Sequence, residues 1–348
     1  MANEEIRFGH KPLVPRRAIV SPAWNDEKVL TSDIWTYVDL WLRRNAKNTD
    51  ASFYWEQAKE FYKASLGLPI TASPLTLYYC FLNSTKALLS AKNITFTDWH
   101  GLTGMSLKDK ASLSNEQISL RGSGVLPSLI AYYGEAAPLD TYSLKNMLRN
   151  MAFVQRAYCL SYTEPDLFFP LAECRYVKAI GSTEAWFAAD LEDRYDDDRI
   201  LPTLPPGYER DAGFEEPVIR KKKRFRWKPG KSEKENNLKR LTQYQKGLRR
   251  DLTYIAGAGK WYLKRRISTA TIIDRHATTL IFASMHRLSE LSRYDPLRLS
   301  RLLDGQRNWL IAEFIKAAPI HFLDEVACEI TGQEIDVSGI YFGNVLNL

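Results

Sequence analysis

Much that would mark a familiar class is missing from this chain, and each absence narrows the reading. Its four cysteines, Cys80, Cys159, Cys174 and Cys328, form no CxxC pair and no short spacing. Isolated cysteines in a chain of 348 residues usually pack as small apolar residues in a reducing compartment, so a disulfide framework is excluded. The opening MANEEIRFGHKPLVPRR lacks the apolar core of a secretory signal. Even the most apolar stretch, Leu75–Ala91, carries Asn83 and Lys86, so no run reaches the roughly 18 apolar residues of a membrane span. A cytoplasmic, soluble protein with no membrane partner is expected.

Catalytic and cofactor signatures are missing too. There is no GxSxG, HExxH or GxGxxG. Gly257-Ala258-Gly259-Lys260 resembles the end of a phosphate loop, but Tyr254 stands where its first glycine belongs and Trp261 replaces the Mg²⁺-binding Ser/Thr. Asp196-Asp197-Asp198 reads as a solvated acidic loop flanked by prolines rather than a cation site. No cofactor and no metal are expected.

What remains is an ordinary globular composition, 45% hydrophobic with nine Trp and eighteen Tyr, enough bulk for a packed core of about two domains. The net charge of +7 hides a polar arrangement. Residues Ser182–Glu216 hold eleven acidic and three basic side chains, whereas Arg220–Arg266 hold eighteen basic and three acidic. A block this basic can pair with nucleic-acid phosphates, with an acidic protein partner, or with the acidic segment just before it.

Apolar spacing predicts helices at Val29–Leu42, Ser52–Ser65, Ser73–Ala91, Tyr142–Tyr158, Thr271–Leu291, Leu297–Leu303 and Gln306–Ile330. Ser73-Pro74 and Asp295-Pro296 read as N-cap followed by proline, Pro319 as a bend or split, and Gly332 as a stop. The basic stretch 228–250 reads as a further helix. Glu173–Ile180, Ala185–Ala189 and Val218–Trp227 read as short strands. The expected division is an N-terminal arm (1–27), a helical bundle (28–164), a small β insertion (165–230) and a C-terminal helical region (231–348), in all a mainly α protein.

Ser73–Gly101, SPLTLYYCFLNSTKALLSAKNITFTDWHG, is the most distinctive segment. With its Pro-Leu-x-x-Tyr-Tyr, Asn-x-x-Lys-Ala-Leu-Leu and His-Gly motifs, and with Ser292–Pro296 later, the chain resembles the YaaC-like family over most of its length. The same pattern is similar to the central helix pair of HEPN domains, helical bundles that act in RNA cleavage, toxin–antitoxin pairs and antiphage defence. That resemblance implies an HEPN-like bundle and a homodimer or complex member. Active HEPN ribonucleases carry Arg-x(4–6)-His, which pairs a guanidinium for phosphorane charge with an imidazole for proton transfer. No arginine lies five to seven residues before His10, His100, His276, His286 or His321.

The expected function is therefore that of a non-catalytic subunit, associated with nucleic acid or acting as a scaffold in a bacterial defence or RNA-linked assembly. The nucleic-acid candidates are Lys221, Lys222, Lys223, Arg224, Arg226, Trp227 and Lys228, where cations alternate with rings, and Lys264, Arg265 and Arg266. The first run also suits a plain strand with a buried aromatic face. A divergent ribonuclease using His100 with Arg149 or Arg156 is the rival, and a pure protein-interaction module the third reading. His100 in the bland reading anchors a loop; Asn83 and Lys86 hold the neighbouring loop. His276 and His286 lie too far apart on one helix to share an ion.

Overall fold

The computed structural model describes residues 3–25, 28–46, 49–137, 139–192, 201–214, 217–305 and 307–337. The chain opens with strand β1 (Asn3–Glu5) and the hairpin β2 (Arg7–Phe8) and β3 (Lys11–Pro12). After β4 (Val29–Thr31) come helices α1 (Ile34–Asn45), α2 (Asp50–Leu66) and α3 (Ser73–Ala91). Strands β5 (Leu102–Ser106) and β6 (Glu116–Leu120), helix α4 (Val125–Tyr133), strand β7 (Thr141–Ser143), and helices α5 (Leu144–Arg149) and α6 (Gln155–Tyr162) follow. Next come β8 (Phe168–Ala179), β9 (Glu184–Leu191), β10 (Tyr208–Arg210), β11 (Val218–Lys221) and β12 (Phe225–Arg226). Then come α7 (Lys234–Leu248), β13 (Leu252–Ile255) and β14 (Lys260–Lys264). The described chain closes with α8 (Ala277–Tyr294), α9 (Pro296–Asp304), α10 (Asn308–Thr331) and β15 (Ile335–Val337).

With 47% of the described residues in helix and 20% in strand, the fold is mixed α/β, which corrects the mainly α expectation. Two compact units divide it: residues 1–27 with 167–271, and residues 28–166 with 272–348. We call them the sheet unit and the helical unit.

An antiparallel sheet of eight strands builds the sheet unit, ordered β10-β11-β9-β8-β14-β13, with β1 also on β8 and β12 also on β9. β8 serves two sets of partners because its register with β9 shifts between Ala172 and Arg175, where Glu173 takes a φ of 41°. Such a bulge bends the strand. Helix α7 lays Leu241, Tyr244 and Leu248 into one core with Tyr176, Phe187 and Phe225. The described residues of the N-terminal arm, 3–25, join this core through Ile6, Leu13 and Trp24. Fully buried Gln245 on α7 fastens them: its Oε1 accepts from the Arg16 N–H at 2.9 Å and its Nε2 donates to the Ala18 carbonyl at 2.8 Å. Lys260, Lys264, Arg265 and Arg266 would also suit a helix, but Lys260–Lys264 form β14, hairpinned to β13 around Gly259. Five residues fit either period, and the partner β8 decides it.

In the helical unit α3 is central. Its buried Ser84 and Thr85 return their hydroxyls to the carbonyls of Cys80 and Phe81, which satisfies them within the helix and leaves small surfaces for neighbours. The helix expected from Val29 begins only at Ile34. Asp33 caps it as α1 by accepting from the Trp35 N–H, and Trp35 packs its ring 4.7 Å from that of Trp55 on α2. Ser73 is not the cap of α3; Ala72 holds that position, and Ser73 and Pro74 lie inside the first turn. The helix expected over Tyr142–Tyr158 is broken: β7 and α5 precede an extended Met151, and α6 starts at Gln155. Between α3 and β7 lie the β5–β6 pair and α4. Asp295 caps α9, Gly332 ends α10 at a φ of 76°, and α10 continues through Pro319 without splitting. Asp196–Asp198 lie outside the described residues.

Fully buried Glu116 ties β6 to α8 and α9. Its Oε2 accepts from Arg287 Nη2 at 2.7 Å and its Oε1 from Arg298 Nε at 2.6 Å. Arg298 also donates to the carbonyls of Lys108, Asp109 and Lys110, so the turn between β5 and β6 is held by a paired, satisfied charge.

Candidate functional site

Charge divides with the fold. The sheet unit holds 27 Lys and Arg against 19 Asp and Glu, a net of +8, and the helical unit holds 21 against 22. The sequence's acidic segment neutralises part of the excess. Asp190 pairs with Arg175, Glu209 and Asp211 with Arg220, and Glu192 with Lys260.

The expected binding residues then separate into two groups. Lys221 is buried; its ammonium lies 3.0 Å from Asp251 and 3.3 Å from the Tyr208 hydroxyl, and burial pulls its pKa below the usual lysine range. Lys264 is also buried, over the Phe168 ring. Arg224 pairs with Glu184 and lies over Trp186, and Arg265 donates to the Thr203 hydroxyl at 2.9 Å. Each of the four therefore already has a carboxylate, a hydroxyl or a ring beside it. Lys222, Lys223, Arg226, Lys228 and Arg266 are exposed, and Trp227 is half-buried. Phe225 turns into the core between the exposed Arg224 and Arg226, the alternation of a half-buried strand.

Trp227 and Lys228 open onto a groove of about 430 Å³. Phe8 supplies a second ring, and Arg7, Lys231 and Lys234 supply further cations. No carboxylate lines it among the described residues. Lys234 lies 4.1 Å from the Phe8 ring centre, and Lys228 is 4.0 Å from Glu233. Asn237 fixes the Trp227–Lys228 turn: its Oδ1 accepts from the Lys228 N–H at 2.9 Å and its Nδ2 donates to the Lys228 carbonyl at 2.7 Å. Rings beside cations on a rigid rim suit a strand of bases on a phosphate backbone. Phe8 was not legible as a member, because only the pairing of β2 with β3 and the docking of residues 1–27 bring it there.

A second cluster lies in the helical unit. The loop ending at Gly101 carries exposed His100, and α4 fixes that loop: Val125 N–H donates to the Trp99 carbonyl at 2.8 Å and Leu126 N–H to the His100 carbonyl at 3.3 Å. A Cβ on Gly124 would fall 2.6 Å from the Trp99 carbonyl, so the close approach needs glycine there. His100 Nδ1 meets the Tyr78 hydroxyl at 2.5 Å, and its ring centre lies 5.6 Å from that of His286 on α8. Tyr78 packs edge-on against His286 at 4.9 Å. Burial chiefly, then the charges of Lys86 and Arg293, lowers the His100 pKa despite Glu290. Burial first, then His100 and Arg287, pushes that of His286 down to about 3. Lys86 does not reach His100 but pairs with Asp98 at 2.7 Å, holding the loop as expected of it. Asn83 instead donates to the Tyr79 carbonyl, within its own helix.

Of the two arginines proposed to work with His100, one is already engaged. Arg149 is buried, paired with Glu164 and placed over the Tyr158 ring. Arg156 is exposed on α6, beside Cys159. His276, at the start of α8, stacks near Tyr133 and stays apart from His286. The pairing of His100 with His286 had no signal in the sequence, since 186 residues separate them.

No helix among the described residues is long and apolar enough to cross a membrane. Neither a curated protein nor a solved structure matches the chain. The family model described as YaaC-like Protein matches residues 22–330, so the chain belongs to the YaaC-like family.

Proposed function

We propose that the protein is a non-cleaving subunit of an RNA-linked or defence assembly, which holds single-stranded nucleic acid on its sheet unit. The observation that carries this reading is the groove in which Phe8 and Trp227 stand among Arg7, Lys228, Lys231 and Lys234, with no carboxylate among its described lining residues. Cations there neutralise phosphates and release counterions, while the rings accept bases of any identity. Lys222, Lys223, Arg226 and Arg266, exposed and without a side-chain partner among the described residues, add to the field. The absence of Arg-x(4–6)-His and the engagement of Arg149 by Glu164 support the non-cleaving part.

One observation favours a ribonuclease as second reading: His100 and His286 lie side by side with Tyr78. Fluorescence anisotropy with labelled single-stranded RNA, followed by a gel of the same mixture, separates the two. The expected result is saturable, salt-sensitive binding with intact RNA. Absence of binding at low salt removes the nucleic-acid part; cleavage lost in His100→Ala would establish the second reading instead.

A further inference from the structure

The helical unit encloses a pocket of about 310 Å³, lined from the turn between β5 and β6, the end of α6 and the junction of α9 with α10. That volume is at the lower end of small-ligand sites, roughly 300–1,000 Å³. Its charged lining has one sign: Lys110, Arg301 and Arg307, joined by the hydroxyls of Ser112 and Ser114, with no carboxylate among the described lining residues.

Arg307 is the built part of this pocket. Its guanidinium carbon lies 4.4 Å from the centre of the Tyr162 ring, which in turn stacks on Tyr158 at 4.8 Å. The Arg307 Nε is buried with no hydrogen-bond partner among the described residues. An unsatisfied buried donor is costly, so an anion that draws the guanidinium toward the pocket would relieve it. Arg307 also occupies the N-cap of α10 with no side-chain cap, so the positive end of that helix adds to the same field.

We infer that this pocket binds a small phosphorylated anion. A phosphate accepts several donors at once, and the planar fork of an arginine matches two of its oxygens. Tyr162 is already engaged by Tyr158, Arg307 and Lys145, so recognition rests on the phosphate rather than on stacking of a base. The inference is independent of nucleic-acid binding, because the groove around Trp227 belongs to the sheet unit.

Calorimetric titration of the full chain with inorganic pyrophosphate and with inorganic phosphate tests it. Saturable one-site binding is expected, weakened about tenfold or more by Arg301→Ala and by Arg307→Lys. The combined variant Lys222→Ala, Lys223→Ala, Arg226→Ala is expected to bind as wild type does. Arg301 is exposed, so its truncation keeps the fold and decides the matter even if the Arg307 variant does not fold. No saturable heat up to millimolar ligand, or binding unchanged in Arg301→Ala, or binding lost in the sheet-unit variant, would overturn the inference.

Discussion

The Tyr78 hydroxyl and Nδ1 of His100 lie 2.5 Å apart, and this contact sets what the exposed imidazole offers. Burial raises the Tyr78 pKa well above the usual phenol range, so the hydroxyl keeps its proton. We predict that it donates to Nδ1 rather than accepting from it. A neutral His100 then carries its own proton on Nε2 and presents a donor, not a base. Imidazole ¹⁵N spectra near pH 7 should show His100 in the Nε2–H tautomer, and Tyr78→Phe should mix the two. An Nδ1–H signature in the wild type would restore His100 as a base for a ribose hydroxyl.

His286 makes stability depend on pH. Its folded pKa, about 3, lies below the roughly 6.5 of an unfolded histidine. The unfolded chain therefore binds more protons between those values, and stability present above about pH 6.5 is lost as pH falls toward 3. By pH 5 the loss from this group is on the order of 2 kcal/mol. Urea unfolding at pH 7 and pH 5 should show a loss in the wild type, to which His321, pushed down to about 4 by burial, also contributes. The loss should be smaller by about 2 kcal/mol in His286→Phe. Equal pH dependence in both would contradict it.

Glu116 neutralises two arginines in a site without solvent. Glu116→Ala leaves Arg287 and Arg298 buried without it, and the expected loss is about 3–5 kcal/mol. Chemical denaturation measures this; a change below about 1 kcal/mol would mean that the arginines find water.

Gln245 makes the corresponding prediction for the sheet unit. Gln245→Leu strands the Arg16 N–H, the Ala18 carbonyl and the Tyr176 hydroxyl, each of which it now satisfies. We expect a loss on the order of 1–3 kcal/mol. Faster hydrogen exchange at residues 13–20 should accompany it, and unchanged exchange there would separate that segment from Gln245.

Local rules made much of the helical unit legible. The stripe of Ile34, Val38 and Leu42, the Asp295 cap and the Gly332 stop each depend on neighbours within a few turns. The sheet was harder, because β8 takes partners from residues 3–5 and 260–264, distances that no periodicity encodes. Over Tyr142–Tyr158 the apolar spacing persists through a broken segment, since Leu148 on α5 and Tyr158 on α6 are both buried. At the candidate site, Trp227 and Lys228 were readable from alternation, whereas charge alone could not tell exposed Lys222 from buried Lys221. Only Asp251, thirty residues on, makes that distinction.

The salt dependence of single-stranded RNA binding tests the central claim most directly. Plotting log K against log salt for the wild type and for the variant Lys228→Ala, Lys231→Ala, Lys234→Ala compares the phosphates each neutralises. The account expects a steep wild-type slope that falls by about two units in the variant, at roughly 0.7 per phosphate contact on a single strand. Identical slopes, with affinity unchanged, would contradict it.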